Sequence, residues 1–173
     1  SVPLLGQLAL AFVGTEKPNI SHWDLDKLSS RLVNYLDGKW LENYVFSCLE
    51  AISDQCGIHE RKLNVKFSKP AAQGKIPEFD VVAMQGYRLY AISCTVSAER
   101  EKAKLKLFEA YIRARQMGGD EAKVALISGY PQPDDLLQDI SEAWMEPRKR
   151  IMIFGPQHFR NLKAHLVEWF SGY

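Results

Sequence analysis

Phe79-Asp80-Val81-Val82-Ala83-Met84-Gln85-Gly86-Tyr87-Arg88-Leu89-Tyr90-Ala91-Ile92-Ser93-Cys94-Thr95 reads as a β-hairpin. Phe79 to Met84 is a short apolar strand carrying a single carboxylate, Asp80. Gln85-Gly86 supplies the turn, and Tyr87 to Thr95 is the return strand. Residues two apart on a strand share a face, so Leu89, Ala91, Ser93 and Thr95 lie on one side of it. The hairpin therefore sets an acid on one strand beside a hydroxyl pair, Ser93 and Thr95, at i and i+2 on the next.

The elements around it follow from periodicity. Residues 1–20 hold Gly6, Gly14 and Pro18 without clear periodicity and read as an arm or linker. Residues 21–173 read as one domain. Ser21 or Asp24 caps a helix to about Leu36, and Asp37-Gly38 breaks it. Trp40, Leu41, Tyr44, Val45, Cys48, Leu49 and Ile52 recur at three and four residues, an amphipathic helix that Gly57 ends. Leu63, Val65 and Phe67 alternate as a first strand, and residues 70–77 form a loop. After the hairpin, Ser97 begins a helix to Met117, with Leu105, Phe108, Tyr111 and Ile112 expected toward its core. A strand at Val124–Ile127, a helix at about Pro133–Met145, a strand at Ile151–Phe154 and a helix at about Gln157–Phe170 complete the chain. A hairpin followed by strand–helix–strand crossovers predicts an α/β fold, a mixed sheet with helices on both faces.

The bulk numbers bound the function. A chain of 173 residues suits one domain that buries roughly 70% of its unfolded surface. The formal charge is +1, so a grip on nucleic acid has to come from a local patch. The three cysteines, Cys48, Cys56 and Cys94, form no CxxC and read as reduced packing residues of a cytoplasmic protein. No run reaches the roughly 18 apolar residues of a membrane span, so no membrane partner is expected. No basic leader precedes the apolar Leu8–Val13 run, which speaks against a signal peptide. A start at Ser1 fits processing, a tag remnant or a piece of a longer protein. HExxH, P-loop, GxSxG and GxGxxG motifs are all missing from the sequence.

Gly38-Lys39-Trp40-Leu41-Glu42-Asn43-Tyr44-Val45 resembles the "GGWLEEYV" opening of the PD-(D/E)xK nuclease domains fused to CARF sensors in type III CRISPR systems. Phe79-Asp80-Val81-Val82 resembles their "E-x-D-V" strand, and Leu89 to Thr95 is similar to their "L-x-x-I-E-C-K" strand. Lys104-Leu105 through Gly118-Gly119 resembles their next helix, and Ala125–Ser128 falls where their following strand does. The likeness covers residues 38–128, in the α-β-β-β-α-β order of the restriction-endonuclease-like core.

The resemblance implies a metal-dependent nuclease of antiviral defence, switched by cyclic oligoadenylate bound at a CARF sensor. That sensor is expected outside this stretch, in the same or a longer chain, because residues before Trp40 leave no room for it. Carried over by position, Glu42 matches the helix carboxylate, Asp80 the first strand ligand and Glu78 the acid before it. Ser93 stands in place of the second carboxylate and Thr95 in place of the lysine. Mg²⁺ or Mn²⁺ would then rest on Asp80 and Glu42. Hard cations want carboxylate, water and phosphate oxygens. The metal polarises the phosphate and lowers the pKa of an attacking water. Ser93 brings a neutral oxygen and Thr95 no cation, so the resemblance implies a weakened or inactive site. An active enzyme would need a lysine moved onto the next helix, with Lys102 and Lys104 the candidates there.

Each residue also has a plain reading. Asp80 reads equally as a strand-end acid on a backbone amide, Glu42 as a solvated charge beside its helix stripe, and Glu78 as a turn residue. The lysines and acids of the long helix read as a salt-bridged solvated face. Arg148-Lys149-Arg150 beside Trp144 is a candidate phosphate contact along with Lys102 and Lys104. Trp144, Trp169, Phe170 and Tyr173 are expected to pack the terminal helices, and an exposed subset would offer a homodimer face. A structural dimerisation module, built through the arm and the last helix, is the third reading.

Overall fold

The computed structural model describes residues 38–66, 78–144 and 150–172. The arm at 1–20, the helix expected at 21–36, the loop at 70–77, Arg148 and Lys149 lie outside the described residues. Nine elements follow in order: α1 Trp40–Cys56, β1 Ile58–Lys66, β2 Glu78–Gln85, β3 Arg88–Thr95, α2 Arg100–Gly118, β4 Lys123–Ser128, α3 Pro133–Trp144, β5 Ile151–Phe154 and α4 Leu162–Ser171. The strands form one sheet in sequence order, β1-β2-β3-β4-β5. The pairs β1–β2 and β2–β3 are antiparallel, and β3–β4 and β4–β5 are parallel. This is the mixed α/β sheet that the hairpin and crossovers predict.

Strand parity divides the core into two layers. Val81, Ala83, Tyr90, Ile92 and Ile127 face α1 and α4, where Leu41, Val45, Leu49, Leu166 and Trp169 meet them. Ala91, Val124 and Leu126 face α2 and α3, against Leu107, Leu136 and Ile140. The hairpin loop is Gly86-Tyr87, closed by the Gln85↔Arg88 pair, one residue later than the sequence suggests. Gly86 alone of the two has positive φ, 60°, as a two-residue turn with glycine first requires. The first strand is longer than its apolar alternation, because the charged residues Glu60, Arg61 and Lys62 pair along the sheet edge, with a register shift at His59. The last helix opens as a 3₁₀ segment, Pro156–Asn161, before α4.

One expected core face is wrong. Leu105, Phe108 and Ile112 are 58%, 44% and 39% exposed, and α2 packs instead through Ala103, Leu107, Ala110 and Ala114. Both stripes have three- and four-residue spacing, and the bulkier one looks like the core. Alanine side chains let the helix approach the sheet closely, and that contact decides the roll of the helix. Close approach continues at its end, where a Cβ on Gly118 would sit 2.7 Å from the Leu89 Cβ. Tyr111 does pack against this layer. At the C-terminus, Trp169 and Phe170 are buried, so neither offers a dimer face. The three cysteines are free and buried.

Candidate functional site

Strand β2 is irregular on both sides of Asp80. On the β3 side the ladder ends at Val81↔Ile92. On the β1 side, Asn64 lies between the Leu63↔Val81 and Val65↔Phe79 pairs with φ of 55°, a left-handed conformation that asparagine tolerates better than most residues. Phe79 and Val81 have the same parity yet join opposite core layers. The strand is therefore turned at Asp80, which aims its carboxylate into the opening between β2 and β3.

There Asp80 Oδ2 accepts two hydrogen bonds, from the Ser93 hydroxyl at 3.0 Å and from the Cys94 backbone N–H at 2.7 Å. Sequence reasoning offered a site carboxylate or a strand-end acid on an amide, and the Cys94 N–H contact is the second of these. The carboxylate takes over a backbone donor at the end of the ladder and still faces Ser93. Thr95 Oγ1 accepts from the Ser97 N–H, so this hydroxyl anchors the turn into α2. Ser97 Oγ in turn accepts the Glu99 N–H just before the helix starts. Beside Thr95 on β4, Ser128 is fully buried with its hydroxyl unpaired.

Glu42 lies in the first turn of α1, near enough to Asp80 for the two charges to act on each other. Burial first, and then the Asp80 carboxylate, hold its carboxyl above the ordinary 4.5, while Lys39 and Lys106 pull it down. Cys94 is held well above its usual range, by burial and then by Asp80 and Glu42, with Lys106 again opposing. Asp80 and Glu78 thus push the Glu42 carboxyl in the same direction, and Lys106, absent from the motif reading, opposes them together with Lys39. Glu78 turns aside, its carboxylate 3.7 Å from Lys66 Nζ and its carbonyl accepting from Arg113 at 3.1 Å.

The basic candidates do not gather here. Lys102 is tied to Glu99 at 2.8 Å. Lys104 lies on the flank of α2 that carries Arg100, whose guanidinium pairs with Asp139 of α3. The Arg150 carbonyl accepts the Val124 N–H at the start of β4, whereas Ser93 and Thr95 lie level with Leu126 and Ser128 farther along it. The structure does not bring Arg150 to Asp80.

The pair Asp80 and Glu42 suits a cation of the Mg²⁺ or Mn²⁺ kind in part. Such ions are held by one or two carboxylates, with water and substrate phosphates completing the shell. Among the described residues, no group of three or more His, Cys, Asp or Glu side chains is placed to hold a metal unaided. The raised pKa of Glu42 has a measurable consequence. The folded state binds that proton more tightly, so the penalty is absent below the ordinary value and complete above the raised one. Stability attributable to Glu42 thus falls as pH rises through that window. Glu42→Gln is expected to raise the melting temperature near neutral pH by about 2 °C, a modest gain because solvent screens a half-buried group. The difference should vanish in acid, and thermal melts across pH check it.

A five-strand mixed sheet flanked by helices, with one helix before the hairpin, is a nuclease-like fold. The chain belongs to the Card1-like endonuclease domain family, which matches residues 26–173. The likeness drawn from residues 38–128 lies inside that span. Protein VC1899 from Vibrio cholerae is similar in structure, with a TM-score of 0.65 and 22% identity over 92% of this chain and 46% of that one. Can2 from Sulfobacillus thermosulfidooxidans, solved in complex with cyclic tetra-adenylate, gives 0.60 and 21% over 80% of this chain and 37% of its own. At such identities the likeness is one of fold, and this chain spans less than half of either protein. No curated protein is similar enough to match. No described helix is long and apolar enough to cross a membrane.

Proposed function

We propose that this chain is the nuclease-like effector domain of a CRISPR-type antiviral protein, facing nucleic acid through the Asp80–Glu42 opening, with phosphodiester cleavage weakened. The observation that carries the reading is the Ser93 hydroxyl bonded to Asp80. It occupies the place of a second strand carboxylate and brings no charge. A divalent ion on Asp80 and Glu42 would polarise a phosphate and acidify a bound water. The chain's own part is to hold Asp80 fixed through Cys94 N–H and Ser93. The oligoadenylate in the Can2 structure suggests an activator of the same kind, bound at a CARF sensor in the same or a longer polypeptide. A cytoplasmic location and a homodimer accord with this role.

The full chain, incubated with Mg²⁺ or Mn²⁺ and single- or double-stranded DNA or RNA, is expected to cut little. Robust cleavage that disappears in Asp80→Ala would replace this reading with that of an active metal-dependent endonuclease.

A further inference from the structure

We propose that Lys106 supplies the cation missing at position 95 and holds a phosphate of the bound strand beside Asp80, an inference that rests on the nuclease reading of the site. The geometry comes from two contacts of α2. Gly118 packs on Leu89, and the helix runs back along β3 from there. Thr95 is about 20 Å from Leu89 at the usual strand rise. At 1.5 Å per helical residue, that distance returns about 13 residues from Gly118, to the turn containing Lys106. Lys106 is thus level with the strand end where the motif lysine would stand.

The roll of the helix selects Lys106 over its neighbours. With Ala103, Leu107, Ala110 and Ala114 against the sheet, the two flanks of α2 face different elements. One carries Arg100, paired with Asp139 of α3, and Lys104 shares it. The other carries Arg113, whose guanidinium bonds the Glu78 carbonyl at the start of β2. Lys106 lies two turns before Arg113 on that second flank. It is exposed and makes no ion pair among the described residues, whereas Lys102 is held by Glu99. A lysine arm from this position reaches over Thr95, and its ammonium is left for a phosphate oxygen.

The test uses the full chain, a short fluorescein-labelled strand as DNA and as RNA, and Ca²⁺ to hold binding without turnover. Lys106→Ala is expected to weaken binding about tenfold and to reduce the slope of log affinity against log salt by about one, the signature of a lost phosphate contact. Thermal stability should not change. Lys106→Arg should retain binding, and Thr95→Lys placed in the Lys106→Ala chain should restore it. Lys62→Ala, on the sheet edge and near Glu60, should bind as wild type does. Wild-type affinity and salt slope in Lys106→Ala, or no recovery with Thr95→Lys, would overturn the proposal. The nuclease reading has its own control. If Asp80→Ala leaves divalent-dependent binding unchanged, or if wild type binds no strand, that reading fails and this inference with it.

Discussion

Ser93→Glu combined with Thr95→Lys is expected to gain about tenfold in Mn²⁺ affinity, a change worth roughly 1.4 kcal/mol. The two positions share a strand face, and Ser93 already touches Asp80 at 3.0 Å. A glutamate there cannot donate to Asp80, so the pair becomes two buried like charges that a divalent ion relieves. Ser93→Glu alone should therefore melt lower than wild type without metal and recover when Mn²⁺ is added. The added lysine partly balances the charge and can orient water at the metal. A preorganised charged partner is typically worth about 100-fold or more in rate, so the double variant should cut where wild type barely does. A folded double variant with neither gain would show that Asp80 is not a ligand position.

The largest stability loss is expected from Tyr90→Ala, about 3–5 kcal/mol and a melting temperature lower by about 10 °C. Tyr90 is fully buried on β3. It stacks on Phe170 at 4.1 Å and meets the edge of Trp169 at 5.0 Å. These rings clamp α4 to the central strand, on the layer opposite α2. Its hydroxyl donates to Gln85 Oε1 at 2.6 Å, which ties the two strands of the hairpin together beside its loop. Tyr90→Phe loses only the hydroxyl's bonds, to Gln85 and to the Arg88 side chain, about 1 kcal/mol each, so the difference between the two variants isolates the packing. A Tyr90→Ala chain melting within about 2 °C of wild type would contradict the clamp.

The hairpin was legible because two apolar runs flank a Gly-containing turn, and its parity because strand residues two apart share a face even where, as on β3, both faces are buried. Helix α1 was legible because its large apolar residues are its buried ones. Helix α2 misled because alanine is a weak hydrophobic signal and a strong packing one. Lys102 and Lys104 were candidates for a displaced lysine only because they lie on the next helix, and the sequence did not show which flank of it faces β2. With the alanines inward, the flank facing β2 belongs to Lys106. Asp80 and Ser93 were found by motif spacing, but the turn in β2 was not, because it depends on Asn64 and on where the ladder with β3 stops.

The central claim is that Asp80 and Glu42 form a residual divalent-cation site in a nuclease-like domain. Isothermal titration of the full wild-type chain with Mn²⁺, beside Asp80→Ala, tests it most directly. The account predicts weak, saturable binding by wild type that Asp80→Ala abolishes, and equal heats from the two proteins would contradict it.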